Sequence, residues 1–394
     1  MKDVISNDMY KRETKLIRTQ IPRSQNKEHS APLYLTSSYT FDDADHMAAM
    51  FNEEQEGYVY SRYSNPNITE FAQKVADLEG TETGWVTGSG MSAIFSVFGA
   101  LLESGDEILS ARSVFGSTHQ LFTQIFPKWG IKTNYVAFDE VDSWEESITP
   151  ATKILYLETP TNPGVDIIDL EAANAIAKKH KLIFVVDNCF ATPINQRPVE
   201  FGADLVIHSA TKYFDGQGRV MGGVILGSNE LIKKIEGFAR HTGPAISPFN
   251  AWTLSKSLET LSIRIERHNT NALALAKRLE SHPNVKWVKY PFLPSHPQYD
   301  IAKKQMDGGG GIVTFEIEGG LEKGKSFLNK LGLLSLTANL GDTRSIATHP
   351  ASTTHSKLSE EDRLQVGITP GLIRISAGLE HIEDIWDDIE QGLS

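Results

Sequence analysis

Ala203-Asp204-Leu205-Val206-Ile207-His208-Ser209-Ala210-Thr211-Lys212-Tyr213 is an apolar, strand-type run that ends in two hydroxyls and then one lysine. A lysine set straight after a buried strand is held rigidly and loses part of its hydration. That disfavours the ammonium form and frees the amine as a nucleophile. Ser209 and Thr211 flank the turn with hydroxyls suited to a phosphate. An ordinary surface lysine at a strand end fits the same residues equally well, so the decision rests on the rest of the chain.

Upstream and downstream the same alternation recurs. Residues 84–227 read as short apolar strands (84–87, 107–110, 133–138, 153–158, 182–187, 204–208 and 220–226) separated by helices at 91–102, 117–127 and 170–180, with another at 230–239. Leu182-Ile183-Phe184-Val185-Val186 is apolar without a break, the mark of a strand buried on both faces. The pattern predicts an α/β layer on a mainly parallel sheet, whose ligands bind in the loops beyond the strand ends. One long helix is expected over 249–281. Beyond it strands at 285–290, 311–317 and 372–377, with helices at 321–331 and 383–391, predict a smaller α+β domain. The expected division is an arm at 1–60, a large domain at 61–250 and a C-terminal domain at 251–394.

The arm shows little regular patterning. Its Leu33–Phe41 stretch is read as an extended segment lying on a partner surface, with a poorly ordered tail as the alternative. The 394 residues carry a net charge of −12 and a pI near 5.5, which argues against nucleic acid or an anionic membrane as the main partner. Cys189 is the one cysteine, so no internal disulfide forms and a reducing compartment is expected. Residues 1–21 lack an apolar signal core, and no stretch is apolar enough to span a bilayer. A cytoplasmic protein is expected, and no metal site.

The strand ends hold the candidate site. Thr87-Gly88-Ser89-Gly90-Met91-Ser92 opens a helix, where glycines let the backbone approach an anion; a plain tight turn is the alternative. Tyr60 and Arg62, one residue apart on an extended segment, would point the same way and form a phosphate clamp, or be a surface arginine beside a packed tyrosine. Phe115 can stack on a flat ring or serve as core. The two prolines of Glu158-Thr159-Pro160-Thr161-Asn162-Pro163 hold Asn162 at a strand end, where its amide can hydrogen-bond an oxygen of a bound cofactor or merely close an Asx turn. Asp187 ends a wholly apolar strand; it can simply cap the backbone that follows, or, as a buried carboxylate, take a partner such as a protonated pyridine nitrogen. A glycine loop, an asparagine, an aspartate and a lysine on successive strand ends together suit pyridoxal phosphate carried by Lys212 as a Schiff base.

These residues resemble the pyridoxal-phosphate enzymes of cysteine and methionine metabolism, the cystathionine γ-synthase-like family. The resemblance runs from about Ala31 to the end. Besides the motifs above it rests on Tyr60-Ser61-Arg62 with Asn65-Pro66, on Ser209-Ala210-Thr211-Lys212, on His349-Pro350-Ala351-Ser352-Thr353-Thr354-His355, and on Ile373-Arg374-Ile375-Ser376-Ala377-Gly378-Leu379-Glu380. It implies the fold type I, aspartate aminotransferase-like architecture. It also implies that Lys212 carries the cofactor, that Asp187 pairs with the pyridine nitrogen, and that Ser209, Thr211 and the backbone of Gly90 and Met91 hold the phosphate. Tyr60 and Arg62 would reach the phosphate in a neighbouring subunit, making a dimer with shared sites and commonly a tetramer. Arg374 would bind the substrate α-carboxylate, a task for a planar fork.

Two departures steer the expected reaction. Lyases and cystathionine γ-synthases of the family usually carry tyrosine where Phe115 stands. The Thr337–Ser345 segment resembles the sulfhydrylase branch, with Asn339 where lyases tend to have serine. An acyloxy group leaves as a carboxylate and needs less acid help than a thiol, which fits a missing phenol. The expectation is γ-replacement on an O-acylhomoserine, foremost the succinyl ester, by sulfide to give homocysteine. Alternatives are cysteine as nucleophile, γ-elimination, or a cofactor-binding regulator of the same fold. Glu158, His349 and the Ser352–His355 loop are candidates to line the acyl pocket, structural hydrogen bonding being equally good for His349 and His355.

Overall fold

The computed structural model describes residues 10–354, 356, 359–365 and 367–394. Its twelve strands in chain order, among the described residues, are β1 (Thr83–Thr87), β2 (Glu107–Ala111), β3 (Lys132–Val136), β4 (Thr152–Glu158), β5 (Ile183–Asp187), β6 (Leu205–Ser209), β7 (Gly223–Gly227), β8 (Val285–Lys289), β9 (Ile312–Ile317), β10 (Ser335–Leu336), β11 (Ile346–Thr348) and β12 (Leu372–Ser376). The larger sheet has the order β1-β7-β6-β5-β4-β2-β3 and the smaller β10-β11-β12-β9-β8. β3, β2, β4 and β5 pair in parallel, while β1 pairs antiparallel with β7. This is the expected α/β class with a mainly parallel sheet and a second, smaller one.

The chain forms two compact units that interleave in sequence. One comprises the residues up to Leu101, Ile207–Asp215 and Arg219–Thr260; the other comprises Leu102–Val206, Gly216–Gly218 and Leu261–Ser394. In the first, helix Pro66–Glu79 starts at Asn65, whose side chain accepts the Asn67 N–H, with Pro66 preset for a first helical turn. On its buried face Lys74 meets Glu70 at 3.3 Å and Glu259 at 3.4 Å, and Glu70 also accepts the Ile21 N–H. That network ties the N-terminal segment to its own unit, as do Thr19 on Asp77 and Trp252 on the Ala31 carbonyl.

In the second unit the apolar residues Ile154–Leu157 of β4 and Phe184–Val186 of β5 are fully buried, as their unbroken apolar runs require. Helix Leu170–His180 begins where the pattern placed it, because Asp169 accepts the N–H groups of Glu171 and Ala172. Leu275 and Leu279 pack with Phe315, Ile373, Ile375 and Ile385 over the smaller sheet. Among the described residues, no helix is long and apolar enough to cross a membrane.

Three local expectations need correction. The helix expected over 249–281 is two, Pro248–Leu258 and Leu261–Glu280. At the break, both the N–H and the hydroxyl of Thr260 turn back to the Ser257 carbonyl. The arm is less featureless than its composition implies, since it holds helices Arg12–Arg18 and Ala44–Phe51, the latter capped by Asp43. Finally, Tyr60–Ser64 is a turn rather than an extended segment, because the N–H groups of Tyr63 and Ser64 both reach the Tyr60 carbonyl.

Candidate active site

The candidate residues fall in both units. In the first, β1 leads into Gly88–Ser89 and helix Gly90–Leu101, and β6 leads into Lys212. Ser89 and Ser92 cap the helix reciprocally, each hydroxyl accepting the other's N–H, at 3.2 and 3.0 Å. The helix end therefore presents its positive pole in a fixed direction. Gly90 lies against β6 so closely that a Cβ there would sit 2.7 Å from the Cβ of Ser209. Gly223 is tighter still, since its Cβ would fall 2.1 Å from the Ser89 carbonyl oxygen. These two glycines let the loop and the strand end converge into a backbone-lined cradle. Behind it, His208 is fixed by Glu79 at 2.5 Å, both fully buried.

Lys212 is half-buried, and its N–H donates to the Ser209 carbonyl at 3.2 Å. The Thr211 hydroxyl faces the Gly222 backbone, at 3.3 Å from its oxygen and 3.2 Å from its nitrogen. Although Tyr60–Ser64 turns, the Arg62 guanidinium still lies over the Tyr60 ring, at 5.5 Å, and over Tyr63 at 4.7 Å. It also donates to the Arg240 carbonyl. A cavity of about 320 Å³ opens beside it, lined by Leu35, Ser37, Tyr60, Arg62 and Ile246.

In the second unit the geometry converges on Arg374 of β12, which is 6% exposed. One outer nitrogen of its guanidinium donates to Asn162 Oδ1 at 2.9 Å, and the other to the Asn339 carbonyl at 3.2 Å. The Asn162 loop is itself pinned. Thr161 bonds Asp166, which pairs with Lys289 at 2.6 Å, while Thr314 donates to the Pro163 carbonyl. Asp187 accepts the Cys189 N–H at 3.0 Å, and Glu158 accepts the Phe115 N–H at 2.8 Å. Burial, then the nearby Asp187 charge, raise the Glu158 pKa well above the usual carboxylate range. The Phe115 N–H and Arg374 pull the other way, less strongly.

Within one unit, therefore, stand Gly90, Met91, Ser209, Thr211, Lys212, Tyr60 and Arg62; within the other stand Phe115, Glu158, Asn162, Asp187, Asn339 and Arg374. Between its two readings, His349 takes the structural one. It is fully buried, donates from Nε2 to the Pro370 carbonyl and accepts the Ser352 hydroxyl at Nδ1. His355 lies outside the described residues. Sequence reasoning gave no role to Gly223 or to Ser92. The signals were the Gly222-Gly223 pair opening β7 and a second serine three residues after Ser89.

A family model described as Cys/Met metabolism PLP-dependent enzyme matches residues 13–394. The chain is 45% identical over 382 residues to an O-succinylhomoserine sulfhydrylase of Pseudomonas aeruginosa, covering 97% of this chain and 95% of that one. It is 42% identical to an L-methionine γ-lyase of Pseudomonas putida, over 92% of each chain. Among solved structures, a candidate O-acetylhomoserine (thiol)-lyase of Campylobacter jejuni superposes with a TM-score of 0.94 at 35% identity, covering 98% of this chain and 100% of that one. That structure carries a pyridoxyl-lysine-phosphate residue.

Proposed function

Because the chain belongs to the Cys/Met metabolism family of pyridoxal-phosphate-dependent enzymes, we propose that it catalyses γ-replacement on O-succinyl-L-homoserine by sulfide, releasing succinate and forming L-homocysteine. The single observation that carries this reading over elimination is Phe115. It is 43% exposed, its backbone is tied to Glu158, and it has no hydroxyl to offer where lyases of the family usually place a phenol.

The residues fit the cofactor. Gly90 and Gly223 let the Ser89–Met91 backbone pack directly against the ends of β6 and β7, and the helix N-terminus held there is suited to a phosphate. The buried Asp187 suits a protonated ring nitrogen. Ser209, Thr211 and the Gly90 and Met91 backbone would hold the phosphate, and Lys212 would carry the cofactor. When bound, the group supplies an electron-withdrawing ring that acidifies the substrate's C–H bonds.

The Arg374 fork, oriented by Asn162 and the Asn339 carbonyl, receives the substrate α-carboxylate. The Lys212 amine takes the proton from the substrate α-carbon and returns it at the end of the cycle. Phe115 would cover the cofactor ring and shield it from water. The succinate leaves already as a carboxylate, so no acid is needed where the phenol is missing. Tyr60 and Arg62 reach a neighbouring subunit's phosphate, and the 1–60 arm contacts that subunit, in a dimer or larger homo-oligomer of the cytoplasm.

The test is a product assay on cofactor-loaded enzyme given O-succinylhomoserine or O-acetylhomoserine, each with sulfide, with cysteine or with neither, and methionine alone. Homocysteine formed fastest from the succinyl ester and sulfide is expected. Cystathionine formed fastest with cysteine overturns the choice of nucleophile. Rapid 2-oxobutanoate from methionine overturns replacement in favour of elimination.

A further inference from the structure

Glu158 and Asp187 are register partners at the ends of the parallel strands β4 and β5, so their side chains leave the same face of the sheet side by side. Glu158 is 3% exposed and Asp187 is 7% exposed. Two ionised carboxylates in so dry a place would repel without water to spread either charge. Their partners differ. Asp187 Oδ1 takes the N–H of Cys189, on its own strand end, whereas Glu158 Oε2 takes the N–H of Phe115, 43 residues away and just before helix Gly116–Gln120. The Phe115 carbonyl accepts the His119 N–H at 3.0 Å, while its ring is 43% exposed, so the Glu158 bond fixes the N–H side of a residue whose ring is not packed in the core.

We propose that Glu158 is a positioning residue, a neutral carboxyl whose carbonyl oxygen fixes the backbone of Phe115, and through it the ring that covers the cofactor, while the negative charge opposite the ring nitrogen stays on Asp187. The charged and titratable groups that act on Glu158 include Asp187, Arg374 and the buried Tyr156 phenol, which burial and the two carboxylates keep protonated. Burial and Asp187 both favour its protonated form, which accepts an N–H at its carbonyl oxygen as readily as an amide does. The proposal departs from a direct contact between Glu158 and substrate. It rests on Phe115 as the ring-covering aromatic and not on which reaction the enzyme runs.

The experiment is titration of the apoenzyme with pyridoxal phosphate, followed by the visible circular dichroism of the bound cofactor. E158Q is neutral, has the same shape and keeps the acceptor. Its cofactor affinity is expected within about threefold of the parent, with the same dichroism. E158A loses the acceptor and should weaken binding by about tenfold and change the dichroic band. Where E158A fails to fold, E158D replaces it, drawing the acceptor back from Phe115 by one methylene. In the F115A background the Glu158 substitution should cost less than about twofold more. E158Q as impaired as E158A would overturn the neutral acid. A Glu158 loss undiminished in F115A would overturn action through Phe115. A different preferred substrate in the product assay would leave every one of these outcomes unchanged.

Discussion

Replacing Arg374 by lysine keeps the charge and removes the fork, and its cost follows from the contacts the guanidinium makes. Two outer nitrogens now meet two acceptors, Asn162 Oδ1 at 2.9 Å and the Asn339 carbonyl at 3.2 Å, in a site only 6% exposed. A lysine nitrogen reaches one acceptor at most without leaving the substrate, so a buried acceptor goes unmet, at about 1–3 kcal/mol. An α-carboxylate bound there as proposed would also lose one of two charge-assisted bonds, worth roughly 1.5–3 kcal/mol, part of which the ammonium recovers by turning. A net loss of about 2–4 kcal/mol corresponds to roughly 30- to 1,000-fold in kcat/KM. The α-carboxylate is held alike in the ground and transition states, so the loss should appear in KM while kcat changes only a few-fold. Steady-state kinetics of R374K with the acyl ester and sulfide measures this, and cofactor titration serves as the control. A kcat/KM within about threefold of the parent, or a loss confined to cofactor binding, would refute the assignment of Arg374 to the carboxylate.

Two further outcomes are expected. G90A drives a Cβ to 2.7 Å from Ser209, and overpacking of this kind costs about 1–3 kcal/mol; cofactor affinity should fall by about tenfold or more, and an unchanged titration curve would count against the cradle. His268 is buried and gives its Nδ1 proton to the Ala377 carbonyl, and burial pushes its pKa from 6.5 down to about 4. It is neutral in the native state and gains a proton on unfolding, so its contribution is complete above pH 6.5 and is lost as pH falls toward 4. The full depression, 6.5 minus about 4, corresponds to roughly 3 kcal/mol, of which about 2 kcal/mol is gone by pH 5. Urea unfolding at pH 7 and pH 5 should show H268N, which keeps a donor and cannot titrate, losing less stability over that interval; equal slopes would be the contrary result.

Much of the frame is local and therefore legible. The apolar runs at Ile154–Leu157 and Phe184–Val186 could only be strands covered on both faces, and both are fully buried. Asp169 before Leu170 and Asn65 before Pro66 announce their helices through short-range capping bonds. The failures were also local in cause. The pattern around Thr260 stays helical on both sides, and only the return of its hydroxyl to the Ser257 carbonyl marks the break. The turn after Tyr60 lacks a glycine and has no proline before Pro66, so its residue types carried no signal.

What the sequence determined by itself was the inventory of chemistry: one lysine after β6, one aspartate ending β5, a glycine loop before a helix, and a phenylalanine without the hydroxyl expected of a lyase. Side-chain type and strand-end position are properties of a few consecutive residues, so they survive being read without a fold. Tertiary structure decided which of these groups act on one another. Arg374 and Asn162 meet across 212 residues, and Gly223 matters only because the Ser89 carbonyl comes to lie against it. The protonation of Glu158 depends on a neighbour that chain folding placed beside it, since burial and a second carboxylate shift a proton equilibrium only where the strands actually pair.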